Sequence, residues 1–298
     1  MINLIKTKAA NWLSRIFRDV INEPSLNSPE RSLSAIQQVA LRNQYRSMLH
    51  HGLQLPGLRD VGFSVYSESD EDGILHFIFS VLGTANKKFV DVGAAIGGSN
   101  TANLSINHGW TGLLIEGSRE QAEAIESFFN NCPATRNFPP TIANEWITKN
   151  NINKILIENG MSGEIDLLSI DIDGIDYYIW DAIDCISPRV VVVEFQCIWG
   201  PDESKSVPYS DDFCGGFVGR YGVYSGASIA AFVKLARKKN YRLVGCQRFG
   251  YNAFFVRNDV GADLLPEIPA QDCFEHPFTD WAREEFLSEI QKKEWVNI

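Results

Sequence analysis

Near the C-terminal end, two runs rich in β-branched and aromatic residues, 241–246 (YRLVGC) and 252–256 (NAFFV), stand only a few residues apart. A connection this short joins antiparallel strands, because a parallel neighbour needs a crossover of a dozen or more residues. Everything upstream has the opposite pattern. Strand-like runs at 88–92, 112–115, about 135–142, 165–170 and 189–195 alternate with helical patterns at 100–108, 120–130, 151–160, 175–183 and 228–240. The run RVVVVEF is the most β-branched in the chain and reads as a buried central strand. Alternation of this kind gives a parallel sheet covered by helices on both faces. The expected fold is therefore α/β: a doubly wound, seven-stranded, mostly parallel, Rossmann-like sheet that ends in an antiparallel hairpin.

In such sheets ligands bind at the carboxyl ends of the strands, near the switch point. There the first strand runs into KKFVDVGAAIGGSNT, residues 87–101. A stretch so poor in side chains lets the backbone turn sharply and approach a ligand closely, so Gly93, Ala94, Ala95, Gly97, Ser99 and Asn100 are expected around a bound nucleoside. The loop reads either as G-x-G-x-x-G with its middle glycine lost or as D-x-G-x-G-x-G with Ala95 in the middle. Asp91 separates the two. An acid two residues before the first glycine would repel a pyrophosphate, whereas beside the amino group or sulfonium of S-adenosylmethionine it is attractive. Glu116 ends the second strand 23 residues after Gly93 and suits the paired hydroxyls of a ribose. S-adenosylmethionine is thus the expected ligand, with NAD as the alternative.

Two further strand ends carry acids. Asp171 and Asp173 follow the fourth strand in LLSIDIDGIDYYIW, and Glu194 and Gln196 lie two apart, on one face, at the end of the fifth. Asp171, Asp173, Glu194 and Gln196 could hold a hard cation such as Mg²⁺ through oxygen ligands, which would lower the pKa of an acceptor hydroxyl. Without a metal, Asp171 or Glu194 could serve as a general base, its pKa raised by its neighbours. Asp173 and Asp176 also have a structural reading, as a turn and a helix cap.

The formal charge of −10 argues against non-specific nucleic-acid binding. Six cysteines with no CxxC pair suggest reduced thiols and a cytoplasmic location. No apolar run is long enough to span a bilayer. Residues 1–21 form an amphipathic pattern of net charge +3, expected to pack on the body or a second copy, or to lie on a membrane surface. The chain divides into an N-terminal helical extension (1–60), a central domain (61–262) and a helical tail (263–298). Residues 196–227 are longer than a connection needs and carry Trp199, Tyr209, Phe213, Phe217, Tyr221 and Tyr224, which suit a lid over an acceptor.

With these stretches in hand, the sequence resembles the FkbM-type methyltransferases, a family of class I O-methyltransferases. The likeness rests on SESDEDGIL, FVDVGAAIGGSNT, GWTGLLIEGS, NEWITKNNIN, LLSIDIDGIDYYIW, PRVVVVEFQ, VYSGASIAAFVKLARKKNYRLVGC and NAFFVR, in that order. It implies methyl transfer from S-adenosylmethionine to a hydroxyl of a saccharide, glycosylated metabolite or other natural product. It also implies donor contacts at Asp91, Gly93 and Glu116, with the acids after strand four facing the donor or a metal. Ala95 and EFQ, where relatives often carry Glu-aromatic-Asn, depart from the pattern. A nicotinamide oxidoreductase, or a donor-binding module without turnover, are the competing readings.

Overall fold

The computed structural model describes residues 29–96, 99–218 and 221–298. The amphipathic segment 1–21, Gly97 and part of the expected lid lie outside the described residues.

In chain order the strands are β1 (Lys88–Val92), β2 (Thr111–Glu116), β3 (Thr141–Asn144), β4 (Gly163–Ile170), β5 (Ile186–Glu194), β6 (Lys205–Ser206), β7 (Gly216–Val218), β8 (Tyr221–Tyr224), β9 (Tyr241–Cys246), β10 (Asn252–Arg257) and β11 (Val296–Asn297). The helices are α1 (Pro29–His50), α2 (Glu71–Leu82), α3 (Ala102–His108), α4 (Arg119–Asn131), α5 (Ile152–Glu158), α6 (Asp176–Ala182), α7 (Ile229–Lys238) and α8 (Pro277–Ile290).

Seven strands form one sheet in the order β3-β2-β1-β4-β5-β10-β9. The first five are mutually parallel, and β10 runs antiparallel to both β5 and β9. The doubly wound sheet and its terminal hairpin are as the sequence pattern requires. Alternate residues of each strand feed two separate cores. Val90, Val92, Leu168, Ile170, Val191 and Val193 face one, while Phe89, Leu167, Val190 and Val192 face the other. With both faces covered, β5 is continuously apolar from Val190 to Val193.

The third strand lies later than its expected position, at Thr141–Asn144. Residues after α4 instead form a turn closed by the Thr135 hydroxyl on the Phe129 carbonyl, 2.7 Å. The start of α2 also differs from a simple cap. Asp70, at the N-cap, makes no capping bond, because its carboxylate pairs with Arg248 at 2.7 Å. Asp72, one residue into the helix, reaches back and accepts from the N–H groups of Val65, Tyr66 and Ser67 at 2.6–2.9 Å. All six cysteines are free thiols. Among the described residues no helix is long and apolar enough to cross a membrane.

One buried acid holds the sheet at the end away from the glycine loop. Asp166 is fully buried on β4 and accepts from the N–H groups of Ala85, Asn86 and Lys87 and from the Arg189 guanidinium at 2.6–2.8 Å. Arg189 also donates to the carbonyls of Leu82, the last residue of α2, and of Gly83, which caps it. Asp166→Asn keeps the shape but sets an amide N–H against donors. It should cost about 1.5–3 kcal/mol, the range for hydrogen bonds to charged groups. Urea unfolding measures this, and a loss below about 0.5 kcal/mol would contradict the assigned role.

Candidate active site

The glycine loop leaves β1 under tight constraint. Gly93 has φ +87°, and a Cβ there would lie 1.7 Å from the Asp171 carbonyl oxygen. The N–H groups of Gly93 and Ala94 are both bonded to the Ile115 carbonyl. Ala94 is buried in the core, and Ala95 is exposed to the cleft beyond. Asp91 is 3% exposed and accepts from the hydroxyls of Ser99 (3.0 Å) and Thr101 (2.7 Å). Asn100 is buried as well, donating to the Ser169 hydroxyl at 3.2 Å. Asp91, Ser99 and Asn100 therefore knit the loop from beneath and are not on the wall of the cleft. Burial raises the Asp91 pKa, and the hydroxyl donors oppose that shift.

The cleft itself, about 300 Å³, lies at the carboxyl ends of β1, β2, β3 and β4. Gly93, Glu116, Glu145, Trp146, Asp171 and Phe213 are on its walls. Glu116 accepts from the Ser118 N–H at 2.6 Å, which orients the carboxylate at the mouth of β2. Burial raises its pKa. Glu145 and Trp146, directly after β3, were not assigned a role from sequence, although their stretch NEWITKNNIN is one of those carrying the family likeness. The Trp146 indole N–H donates to the Asp211 carbonyl at 2.7 Å, tying the cleft to the segment that covers it.

A second cavity, of about 270 Å³, opens on the other side of the β5 end. Glu194, Tyr251, Phe278, Trp281 and Phe286 line it, together with Val223 and Ser225 from the lid segment. Tyr251 stands beside Glu194 because its carbonyl accepts from the Phe195 N–H at 2.8 Å and the next residue, Asn252, pairs with Glu194 across the β10–β5 ladder.

Between the two cavities stand three acids. Carboxylate oxygens of Asp171, Asp173 and Glu194 lie within 4.8 Å of one another. That spread matches oxygens on opposite sides of one hard cation at about 2.3–2.6 Å, with slight closure needed for Mg²⁺ at about 2.0–2.1 Å. The residues present thus suit a divalent cation. Gln196 is committed elsewhere: its amide donates to the Val223 carbonyl at 2.8 Å and accepts from the Ile198 N–H. The fourth expected ligand is therefore held by the main chain of segment 196–227.

The electrostatics follow from crowding. Asp171 is held well above the usual carboxylate range, first by burial and then by repulsion from Asp173, Asp176, Asp91 and Glu68. Glu194 is raised by burial and then by Asp171, Asp173, Asp176 and Glu68. Asp173 adopts φ +52°, a left-handed backbone rare for a non-glycine residue. Asp176 secures that turn by accepting from the N–H groups of Ile172 and Gly174, and burial pushes its own pKa up to about 6. Glu68 was not foreseen; it arrives on the loop that Asp72 folds. Its stretch, SESDEDGIL, is among those carrying the family likeness, but no role follows for Glu68 from that pattern.

The ends of segment 196–227 are bonded to each other, Gln196 N–H to Ala227 carbonyl at 2.8 Å, and Gly226 N–H reaches the Gly174 carbonyl at 2.9 Å. The segment touches both cavities, with Phe213 on the first and Val223 and Ser225 on the second. Its other described aromatic rings hold the segment down. Tyr209 lies under Lys149 at 4.1 Å, and Tyr224 and Trp199 pack edge-on against Trp295 at 5.3 and 5.0 Å. The aromatic wall of the second cavity comes instead from α8 and the β9–β10 turn.

No protein-family model matches the chain, and no curated protein matches it either. Among solved structures it is similar to the O-methyltransferase TomG from Streptomyces achromogenes in complex with SAM (16% identity over 81% of this chain and 95% of that one, TM-score 0.40). It is likewise similar to an O-methyltransferase family protein from Burkholderia thailandensis (10% identity, 76% and 72% covered, TM-score 0.40). A third is the magnesium protoporphyrin IX methyltransferase from Synechocystis PCC 6803 with bound SAM (11% identity, 81% and 89% covered, TM-score 0.36). Likenesses this loose carry no residue role and no substrate to this chain.

Proposed function

We propose that the chain is an S-adenosylmethionine-dependent O-methyltransferase of the FkbM type. The observation that carries this reading is the abutment of two cavities across the Asp171–Asp173–Glu194 cluster. One cavity is bounded by the glycine loop and Glu116, as a nucleoside donor requires; the other suits an acceptor.

In this reading Glu116 accepts hydrogen bonds from the ribose hydroxyls, and Glu145 with Trp146 borders the base. Gly93 lets the backbone close on the donor, while Asp91 acts through the loop it braces. The acceptor hydroxyl oxygen attacks the donor methyl carbon, the carbon–sulfur bond breaks, and S-adenosylhomocysteine leaves. The hydroxyl proton passes to Glu194 or Asp171, whose raised pKa values suit them to receive it. Mg²⁺, if bound by Asp171, Asp173 and Glu194, would supply Lewis acidity that lowers the hydroxyl pKa. Water is kept from the reacting atoms by the lid segment, which lies on both cavities.

Calorimetric titration with S-adenosylhomocysteine, with and without Mg²⁺ and with NAD alongside, tests the proposal. Micromolar binding of the homocysteine compound is expected; a preference for NAD would instead favour the oxidoreductase reading. Glu116→Ala should weaken that binding by about 1–3 kcal/mol, roughly 5- to 150-fold. An unchanged affinity would remove Glu116 from the donor site.

A further inference from the structure

We propose that the acceptor carries its hydroxyl on a small apolar ring system, a phenol or an alicyclic alcohol, and is not a free sugar. The proposal rests on the methyl-transfer reading above and assigns the substrate class of its second cavity.

The size of the cavity, about 270 Å³, is just below the roughly 300–1,000 Å³ of common small-molecule pockets. It takes a body of one or two rings. One wall is a continuous row of aromatic side chains, with ring centres 5.3 Å apart for Tyr251–Phe278, 5.4 Å for Phe278–Trp281 and 5.5 Å for Trp281–Phe286. Ile198 and Val223 add aliphatic surface.

Polar side-chain groups are few, and apart from the Trp281 indole N–H they belong to residues of the β5 end, the 196–227 segment and the β9–β10 turn. Glu194 belongs to the carboxylate cluster itself. Ser225 is close to that cluster too, since its Cβ and the Asp173 carbonyl oxygen both flank Gly215. The Gln196 amide already bonds the main chain through both its oxygen and its nitrogen. The Cys197 thiol is buried and its pKa is pushed up to about 12, so it stays neutral and weakly polar. Tyr251 brings a hydroxyl from the turn, and burial raises its pKa, so it stays protonated.

A pyranose presents hydroxyls around its whole edge. In this cavity one of them could reach the acids and one could accept from the Trp281 indole N–H, and the remainder would lose water against Phe278 and Phe286 without a partner, which is costly for each group. A phenol or alicyclic alcohol has a single polar point and an apolar body, and matches the lining at both ends. Stacking on the aromatic row then sets the ring so that its oxygen points at Glu194 and, across it, at the donor cleft.

The test is calorimetric titration of the S-adenosylhomocysteine-loaded full chain with 2-naphthol and, separately, with methyl α-D-glucopyranoside. Naphthol should bind, and the glucoside should bind at least tenfold more weakly. Trp281→Ala, at a position 42% exposed, should weaken naphthol at least tenfold, and Tyr251→Ala supplies a second variant should the first unfold on a melting curve. Glucoside binding as tight as naphthol, binding of neither probe, or naphthol affinity indifferent to both aromatic substitutions overturns the assignment. Naphthol binding that depends on Trp281, in a chain that takes no S-adenosylhomocysteine, supports the ligand class and overturns the methyl-transfer reading instead.

Discussion

Glu194→Gln lowers methyl transfer by about 10²–10⁴-fold, the loss expected when a positioned general base is removed, and leaves donor affinity within a few-fold of the parent. Glutamine has the same shape, so the pocket survives, but it can neither take a proton nor offer a charged ligand oxygen. Glu194 lines the second cavity and not the donor cleft, which is why the two effects separate. The same substitution should raise stability. Glu194 has a folded-state pKa above its unfolded value. An acid of this kind favours folding below the unfolded value and loses that advantage as pH rises through the folded one. At pH 8 its ionised form, crowded by Asp171 and Asp173, opposes folding, so the glutamine variant melts higher there and the difference shrinks toward pH 4. In the parent, kcat/KM measured without metal should climb with pH through an inflection above the ordinary carboxylate range, since Glu194 and Asp171 are both raised. Turnover within tenfold of the parent would end the case for Glu194 as the base.

Gly93→Ala abolishes donor binding and destabilises the fold. The added methyl meets the Asp171 carbonyl oxygen at 1.7 Å, and that oxygen cannot retreat easily because the Asp171 N–H is bonded to the Val92 carbonyl at 2.9 Å. Left-handed backbone adds about 1–2 kcal/mol for a residue with a Cβ, and overpacking typically adds about 1–3 kcal/mol. A combined loss of roughly 2–5 kcal/mol is expected, together with S-adenosylhomocysteine affinity weakened more than about 100-fold as β1 and β4 are forced apart at the cleft. Urea unfolding and calorimetry read the two effects. A variant as stable as the parent would mean that the loop is free to relax around a side chain.

The residues legible in the sequence are those whose neighbours in space are also neighbours along a strand. Val191 and Val193 alternate with Val190 and Val192 because the pleat sends them to opposite faces. Glu116, Asp171 and Glu194 end apolar runs, and a parallel sheet brings those ends to one edge. Asp176 could be read as a local cap because its partners, Ile172 and Gly174, are within four residues. What escaped comes from packing between distant segments. Glu68 adds its charge to the cluster from a loop in which Asp72 gathers three N–H groups and Asp70 is held by Arg248, 178 residues away. Tyr251 and Trp281 meet at the second cavity from a turn and a tail helix whose local patterns carry no ligand signal. The lid aromatics were conspicuous in sequence for a different reason: the described ones mostly act as fasteners, and only tertiary structure separates a ring that faces a ligand from one that holds a loop.

The short strand β6, inside the lid, is completed by β11, with Ser206 opposite Val296 and Lys205 opposite Asn297. Tyr224 adds a bond to the Glu294 carbonyl at 2.8 Å. The sheet can close as soon as β10 has been synthesised, but the lid must wait for residues 92 positions further along than its own Lys205. A growing chain on the ribosome can therefore complete the sheet, with the ends of β1, β2, β3 and β4, while the second cavity still lacks both α8 and the strand that secures segment 196–227. The walls of the first cavity that the sheet supplies are thus laid down before those of the second.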